Sequence, residues 1–310
     1  MTRFKIEPEA ARRFLARRFG DRAVLGFELP RGEWSHAYAL TLDRRDHVIR
    51  FNPSRDAFDV DLLAMRFAAS ALPIPSVVEV GEAPECFFAI SERVFGSFLE
   101  DLAAAESEET LPSLFEALDC MRRADTSWST GFGPWGSAGD GIYSSWRNYL
   151  VAVENEVPQD RDQSWRARLR ASASATAAFN DGVEALQRGI ESCPEIRHVI
   201  HSDLINRNVF VKDGRVSGLI DWQCAMYGDF LYELAWFTFW APWHPGLESV
   251  NFKRRCLERL ADEKDFAVRM RCYEIHIGLR HLVYNAWRGD SKNLEATARR
   301  TVDVIGHRNA

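Results

Sequence analysis

The chain has 310 residues, 46% of them hydrophobic, and a formal net charge of -6. That length is enough for a large core in one or two lobes. A mildly acidic chain lacks the basic footprint that nucleic acid demands, and no apolar run nears the roughly 20 residues that span a bilayer. Neither nucleic acid nor a membrane is therefore expected as a partner, whereas negative potential favours a cationic ligand. The N-terminus carries no apolar segment of a secretory signal. Six cysteines without a C-x-x-C pair read as reduced, buried thiols of a cytoplasmic protein.

Residues 8–19 place Ala11, Phe14, Leu15 and Phe19 on one face and stop at Gly20, which predicts a helix. Segments 22–29, 36–42 and 47–51 are short, β-type and separated by turn residues, as in an antiparallel meander. Residues 56–70 return to helical spacing, and Val77–Val80 and Phe87–Ile90 add two strands. Beyond residue 95 helices are expected over 110–124, 143–156, 164–191, 229–240, 248–262, 264–288 and 291–306. The glycine-rich stretch 129–142 is expected to be a loop. The result is an α+β, two-lobed chain: residues 1–94 form a small antiparallel-sheet lobe and residues 95–310 a mostly helical one. The boundary between such lobes is a favoured ligand cleft.

Residues 198–222 carry the chemistry. They read His201-Ser202-Asp203, then Asn208, a hairpin turning at Asp213-Gly214, and Ile220-Asp221-Trp222. A hairpin brings its ends together, so Asn208 and Asp221 share one mouth and Asp203 lies on the loop entering it. Two carboxylates and an amide oxygen suit a hard cation such as Mg²⁺. The spacing His-x-Asp-x-x-x-x-Asn matches the catalytic loop of protein kinases. His201 is read as structural, holding the loop by hydrogen bonds.

The stretches H-S-D-L-I-N-R-N-V-F, G-L-I-D-W and Gly228-Asp229-Phe230 with Tyr232-Glu233-Leu234-Ala235 resemble the signature of the aminoglycoside phosphotransferase and choline-kinase superfamily. Shorter stretches, among them residues 71–75, 131–136 and 240–243, are most similar to its hygromycin B branch. The resemblance implies a bilobal protein-kinase-like fold, Mg²⁺ as cofactor, ATP or GTP as phosphate donor, and a hydroxyl acceptor. It implies that Asp203 orients the acceptor hydroxyl and takes its proton. Asn208 and Asp221 would hold Mg²⁺, and Asp229 would brace the catalytic loop.

For the nucleotide, the resemblance places Gly32-Glu33-Trp34-Ser35-His36 at the phosphate loop, with Ser35 as a donor. Arg50 stands where kinases place Lys, and its acidic partner is Asp61, with Asp59 as the alternative. Ser91-Glu92-Arg93-Val94 matches the lobe connector, whose backbone at Glu92 and Val94 would meet the purine. Trp243 is the best aromatic candidate for the acceptor site. Glu274 and Asp290 are the acidic ones. A monomeric antibiotic kinase acting on a cationic aminoglycoside is expected. A sugar, amino alcohol or macrolide acceptor would keep the chemistry. The other class is a catalytically weak nucleotide-binding regulator, which only the Arg50 substitution favours.

Overall fold

The computed structural model describes residues 4–30, 35–153, 164–260 and 262–306. An antiparallel sheet comes first, with strands β1 (Ala23–Glu28), β2 (His36–Leu42), β3 (Arg45–Asn52), β4 (Val77–Ala83) and β5 (Cys86–Glu92) in spatial order β1-β2-β3-β5-β4. The β2–β3 turn is a two-residue one through Asp43 and Arg44, both left-handed at φ 49° and 65°, the geometry that matches strand twist. Helix α1 (Pro8–Phe19) has a proline in its first turn and ends against Gly20. Its Ala11 and Leu15 drop onto Tyr38, Leu40, Ile49, Phe51, Phe88 and Ile90. Each large side chain buried there contributes about 1.5–3 kcal/mol.

Helix α2 (Asp56–Ala64) crosses between β3 and β4. The helix expected over 56–70 tightens at Met65–Phe67 and stops, because Ala69 and Leu72 pair backbone to backbone and turn the chain back. After β5, residues 93–96 lead into the short strand β6 (Ser97–Phe98) and helix α3 (Ala104–Arg123). This helix starts six residues earlier than expected, since Glu106 reaches back to the Ala103 N–H at 2.9 Å and closes its first turn.

The glycine-rich stretch is not a loop throughout. It forms β7 (Phe132–Trp135) and β8 (Gly141–Tyr143), which pair antiparallel. Its glycines serve close backbone approach: a Cβ on Gly131 would lie 2.1 Å from the Gly141 carbonyl oxygen. Helix α4 (Trp146–Ala152) begins where Ser145 accepts from the Asn148 N–H at 3.1 Å. The helix expected over 164–191 is two, α5 (Ser164–Arg170) and α6 (Ala173–Gly189), because Ser172 caps the second by accepting from Ala175.

Strands β9 (His198–Ile200), β10 (Val209–Lys212), β11 (Arg215–Leu219) and β12 (Met226–Gly228) complete two small sheets, β11-β10-β6 and β8-β7-β12-β9. The remainder is helical: α7 (Leu231–Trp240), α8 (Pro245–Ser249), α9 (Phe252–Leu260), α10 (Phe266–Arg288) and α11 (Ser291–Gly306). Asn251, left-handed at φ 44°, separates α8 from α9 in the region expected as one helix. A second, larger core fills this part, with Trp146, Tyr149, Trp222, Tyr232, Phe237 and Tyr273 at its centre. No described helix is long and apolar enough to cross a membrane. Four of the six cysteines are buried, and Cys224 is exposed.

Candidate active site

The hairpin of β10 and β11 pairs Val209 with Leu219, and the Ile220 N–H donates to the Asn208 carbonyl at 3.0 Å. Asn208 and Asp221 therefore flank the same rung. Asp221 takes the left-handed conformation, φ 61° and ψ 65°, which breaks the strand and turns the chain into the helical turn at Trp222. The Asn208 amide nitrogen donates to the Asp203 carbonyl at 2.8 Å and to its carboxylate at 3.2 Å. With that nitrogen spent on the loop, Oδ1 is the amide atom left for a cation.

Burial pushes the Asp203 carboxyl well above the usual range, and the charge of Asp221 adds to it. Asp221 reaches solvent, but from a recess. Burial raises its carboxyl, Asp61 adds to the rise, and Arg50 opposes it. A carboxylate whose neighbours on both sides are carboxylates, as Asp221 is beside Asp203 and Asp61, fits a cation bound there. Among the described residues no cluster of three His, Cys, Asp or Glu side chains forms a metal site. The donor set here is carboxylate plus amide, which suits Mg²⁺ completed by water and phosphate.

Arg50 on β3 pairs with Asp61 on α2, and Asp59 pairs instead with Arg55 at 3.0 Å. The Arg50 guanidinium also lies 5.3 Å from the Phe58 ring centroid. Burial works against its charge, but Asp61 and then Asp221 hold it protonated. The second Asp61 oxygen accepts the Trp222 N–H at 3.1 Å. Ser35 lies immediately before β2, whereas Gly32, Glu33 and Trp34 lie outside the described residues.

The connector is docked on the hairpin. Ser217 Oγ donates to the Phe95 carbonyl at 3.0 Å, and a Cβ on Gly218 would sit 2.5 Å from a Val94 methyl. The Glu92 N–H is committed to Ser76 and the Arg93 N–H to Asp46. Among the described residues the Val94 N–H has no protein acceptor, whereas the Glu92 N–H is engaged and only its carbonyl stays open to a ligand.

The brace of the catalytic loop is Glu233 and not Asp229. Glu233, fully buried on α7, accepts the backbone N–H groups of His201 at 2.5 Å and Ser202 at 2.9 Å. Those bonds hold Ser202 left-handed at φ 63°, a conformation glycine adopts more easily. Burial raises the Glu233 carboxyl to about 7, against the pull of the two N–H groups. Asp229 is spent elsewhere, forked by Arg269 at 2.8 Å and 2.8 Å and bonded by the Tyr273 hydroxyl at 2.5 Å. His201 is structural, as expected: its Nε2 meets the Ile220 carbonyl at 3.0 Å, and burial lowers its pKa to about 4, so it is neutral. The signal for Glu233 was present in the Tyr232-Glu233-Leu234-Ala235 stretch, one turn into α7, where a longer acid stands for the usual Asp.

An aromatic seam runs along α7 and α10. Trp240 contacts Trp236, Trp243 and His281, with centroids 6.0, 5.2 and 4.6 Å apart, and Trp243 is 41% exposed. Glu274 is buried. Asp290 caps α11, accepting from the Asn293 N–H at 3.1 Å.

The phosphotransferase enzyme family model matches residues 26–263. The chain is 34% identical to hygromycin-B 4-O-kinase from Escherichia coli over 284 residues, 91% of this chain and 80% of that protein. A thermostable mutant of the aminoglycoside phosphotransferase APH(4)-Ia, solved with AMP-PNP and hygromycin B, superposes with a TM-score of 0.85 at 32% identity, covering 94% of this chain and 97% of that one. Spectinomycin phosphotransferase, with a TM-score of 0.60 at 12% identity over 97% of each chain, shares the fold.

Proposed function

Because the chain belongs to the phosphotransferase enzyme family, we propose that it transfers the terminal phosphate of ATP or GTP to a hydroxyl of a cationic aminoglycoside, hygromycin B foremost. The observation that carries this reading is the meeting of Asp203, Asn208 and Asp221 at one hairpin mouth, facing the Arg50–Asp61 pair. The identity to the hygromycin-B kinase over most of its length supports the acceptor.

In this reading Asp203 accepts a hydrogen bond from the acceptor hydroxyl, aims its oxygen at the terminal phosphorus and takes the proton as the new bond forms. The burial that raises its carboxyl makes it a better base than a free aspartate. Asn208 Oδ1 and the Asp221 carboxylate would hold Mg²⁺, which when bound would neutralise charge on the donor phosphates. Arg50 forks onto the phosphates while Asp61 fixes its direction. Val94 offers its N–H to the base, and Ser35 a hydroxyl to the phosphates. Residues 1–94 serve as the nucleotide lobe and residues 95–310 as the acceptor lobe, and the enzyme works in the cytoplasm as a monomer.

The test is ADP or GDP release with each nucleotide across aminocyclitols, macrolides and metabolic alcohols, paired with the inhibitory concentration of hygromycin B in a sensitive bacterium expressing the chain. Protection and hygromycin-dependent release support the proposal. Turnover of an uncharged alcohol without protection transfers the acceptor to a metabolic one.

A further inference from the structure

Arg207 stands in the catalytic loop immediately before Asn208, and its backbone is left-handed at φ 61°. An L side chain resists that conformation, so something must hold it. The Glu100 carboxylate accepts the Arg207 N–H at 2.5 Å. Asp101 takes the guanidinium in a fork, at 3.0 Å and 2.6 Å. The guanidinium also lies 4.3 Å from the Phe98 ring centroid. Glu100 and Asp101 belong to the helical turn Leu99–Asp101, directly after β6. The other Glu100 oxygen is buried without a partner, so apart from Glu100's own backbone N–H the loop N–H of Arg207 is the group this carboxylate bonds.

We propose that Glu100 and Asp101 are positioning residues for phosphoryl transfer: they keep Arg207 left-handed and so aim the Asn208 amide into the cleft. The inference rests on reading Asn208 as a ligand of the phosphate-bound cation. Were Arg207 to relax to negative φ, the following peptide would rotate. Asn208 would then leave its bonds to Asp203 at 2.8 Å and 3.2 Å. The clamp acts through the backbone, so glycine, which adopts positive φ freely, should replace it.

Two double variants that differ by one methyl group make the test, Glu100→Ala with Arg207→Ala and Glu100→Ala with Arg207→Gly. Both lose the clamp. In the alanine pair kcat should fall, and the Mg²⁺ concentration for half-maximal rate should rise, each by about 10–100-fold, the scale of a misplaced catalytic group. The acceptor KM should stay within about twofold. The glycine pair should recover most of both losses and melt at a higher temperature. Equal Mg²⁺ dependence in the two pairs, whether both impaired or both parental, overturns the proposal. If the alanine pair fails to fold, Asp101→Ala with Arg207→Ala, read against Asp101→Ala with Arg207→Gly, poses the same one-methyl contrast with Glu100 kept. A parent chain without Mg²⁺-dependent nucleotide turnover would fail the kinase reading before the variants are compared.

Discussion

The Asp61 carboxylate on α2 accepts the Trp222 N–H at 3.1 Å, while its other oxygen holds Arg50. One side chain thus ties Arg50 of the first sheet to the residue that follows Asp221. Asp61→Asn should keep the N–H contact and lose the ion pair. Nucleotide KM should rise about 10-fold or more, as for a lost charge-assisted bond. Asp61→Ala should also diminish the Mg²⁺-dependent rise in melting temperature, because Asp221 loses its anchor. A parental KM in both variants would remove Asp61 from the site.

Asp203→Asn keeps the shape of the loop and removes the proton acceptor. Turnover should drop by about 10²–10⁴-fold, the span of a positioned general base. The nucleotide dissociation constant should change little, since Asn208 and Asp221 remain. Single-turnover rates and titration calorimetry on the same variant separate the two effects.

Glu233 and His201 give stability two opposed pH slopes. Glu233 is raised from 4.5 to about 7, so its contribution is lost as pH climbs through that window. His201 is lowered from 6.5 to about 4, so its contribution is lost as pH falls through its own. At about 1.4 kcal/mol per pH unit, each slope amounts to about 3 kcal/mol, and they offset between 4.5 and 6.5. Glu233→Gln retains an acceptor oxygen for the loop N–H groups and deletes the buried charge. Its melting temperature should therefore rise relative to the parent's between pH 4.5 and 7. Parallel profiles for the two proteins would refute the assignment of the slopes.

Gly218→Ala should push the connector off the hairpin, since the new methyl would lie 2.5 Å from a Val94 methyl. Affinity for nucleoside triphosphate should fall, while affinity for tripolyphosphate, which has no base, should hold. Adding Val94→Ala takes away the two methyl contacts, leaving the Cβ of residue 94 at 3.1 Å, and should restore much of the base-dependent binding. Equal losses for both ligands would place the effect in general folding.

Much of the site was legible because its signals are local. The Asp213-Gly214 turn fixes the hairpin, and the hairpin alone brings Asn208 beside Asp221. The Arg50–Asp61 pairing came from the resemblance to the kinase pattern, with Asp59 as the alternative. What escaped depends on contacts that sequence spacing does not encode. Glu233 meets His201 across 32 residues, and Glu100 meets Arg207 across 107. Glycine content at 129–142 signals permissive backbone, but composition does not distinguish a loop from two strands pressed close together. The split of α5 from α6 turns on one capping serine within an otherwise helical pattern.

Helix α7 spans ten residues. Near its start Glu233 steadies the catalytic loop, and further along Trp236 and Trp240 enter the aromatic seam. A substitution that shifts the helix along its axis would drag Glu233 with it. Tolerated changes should therefore be those that trade ring for ring in place. Displacing the helix would thus disturb the loop at His201 and Ser202 even where no residue of that loop is changed.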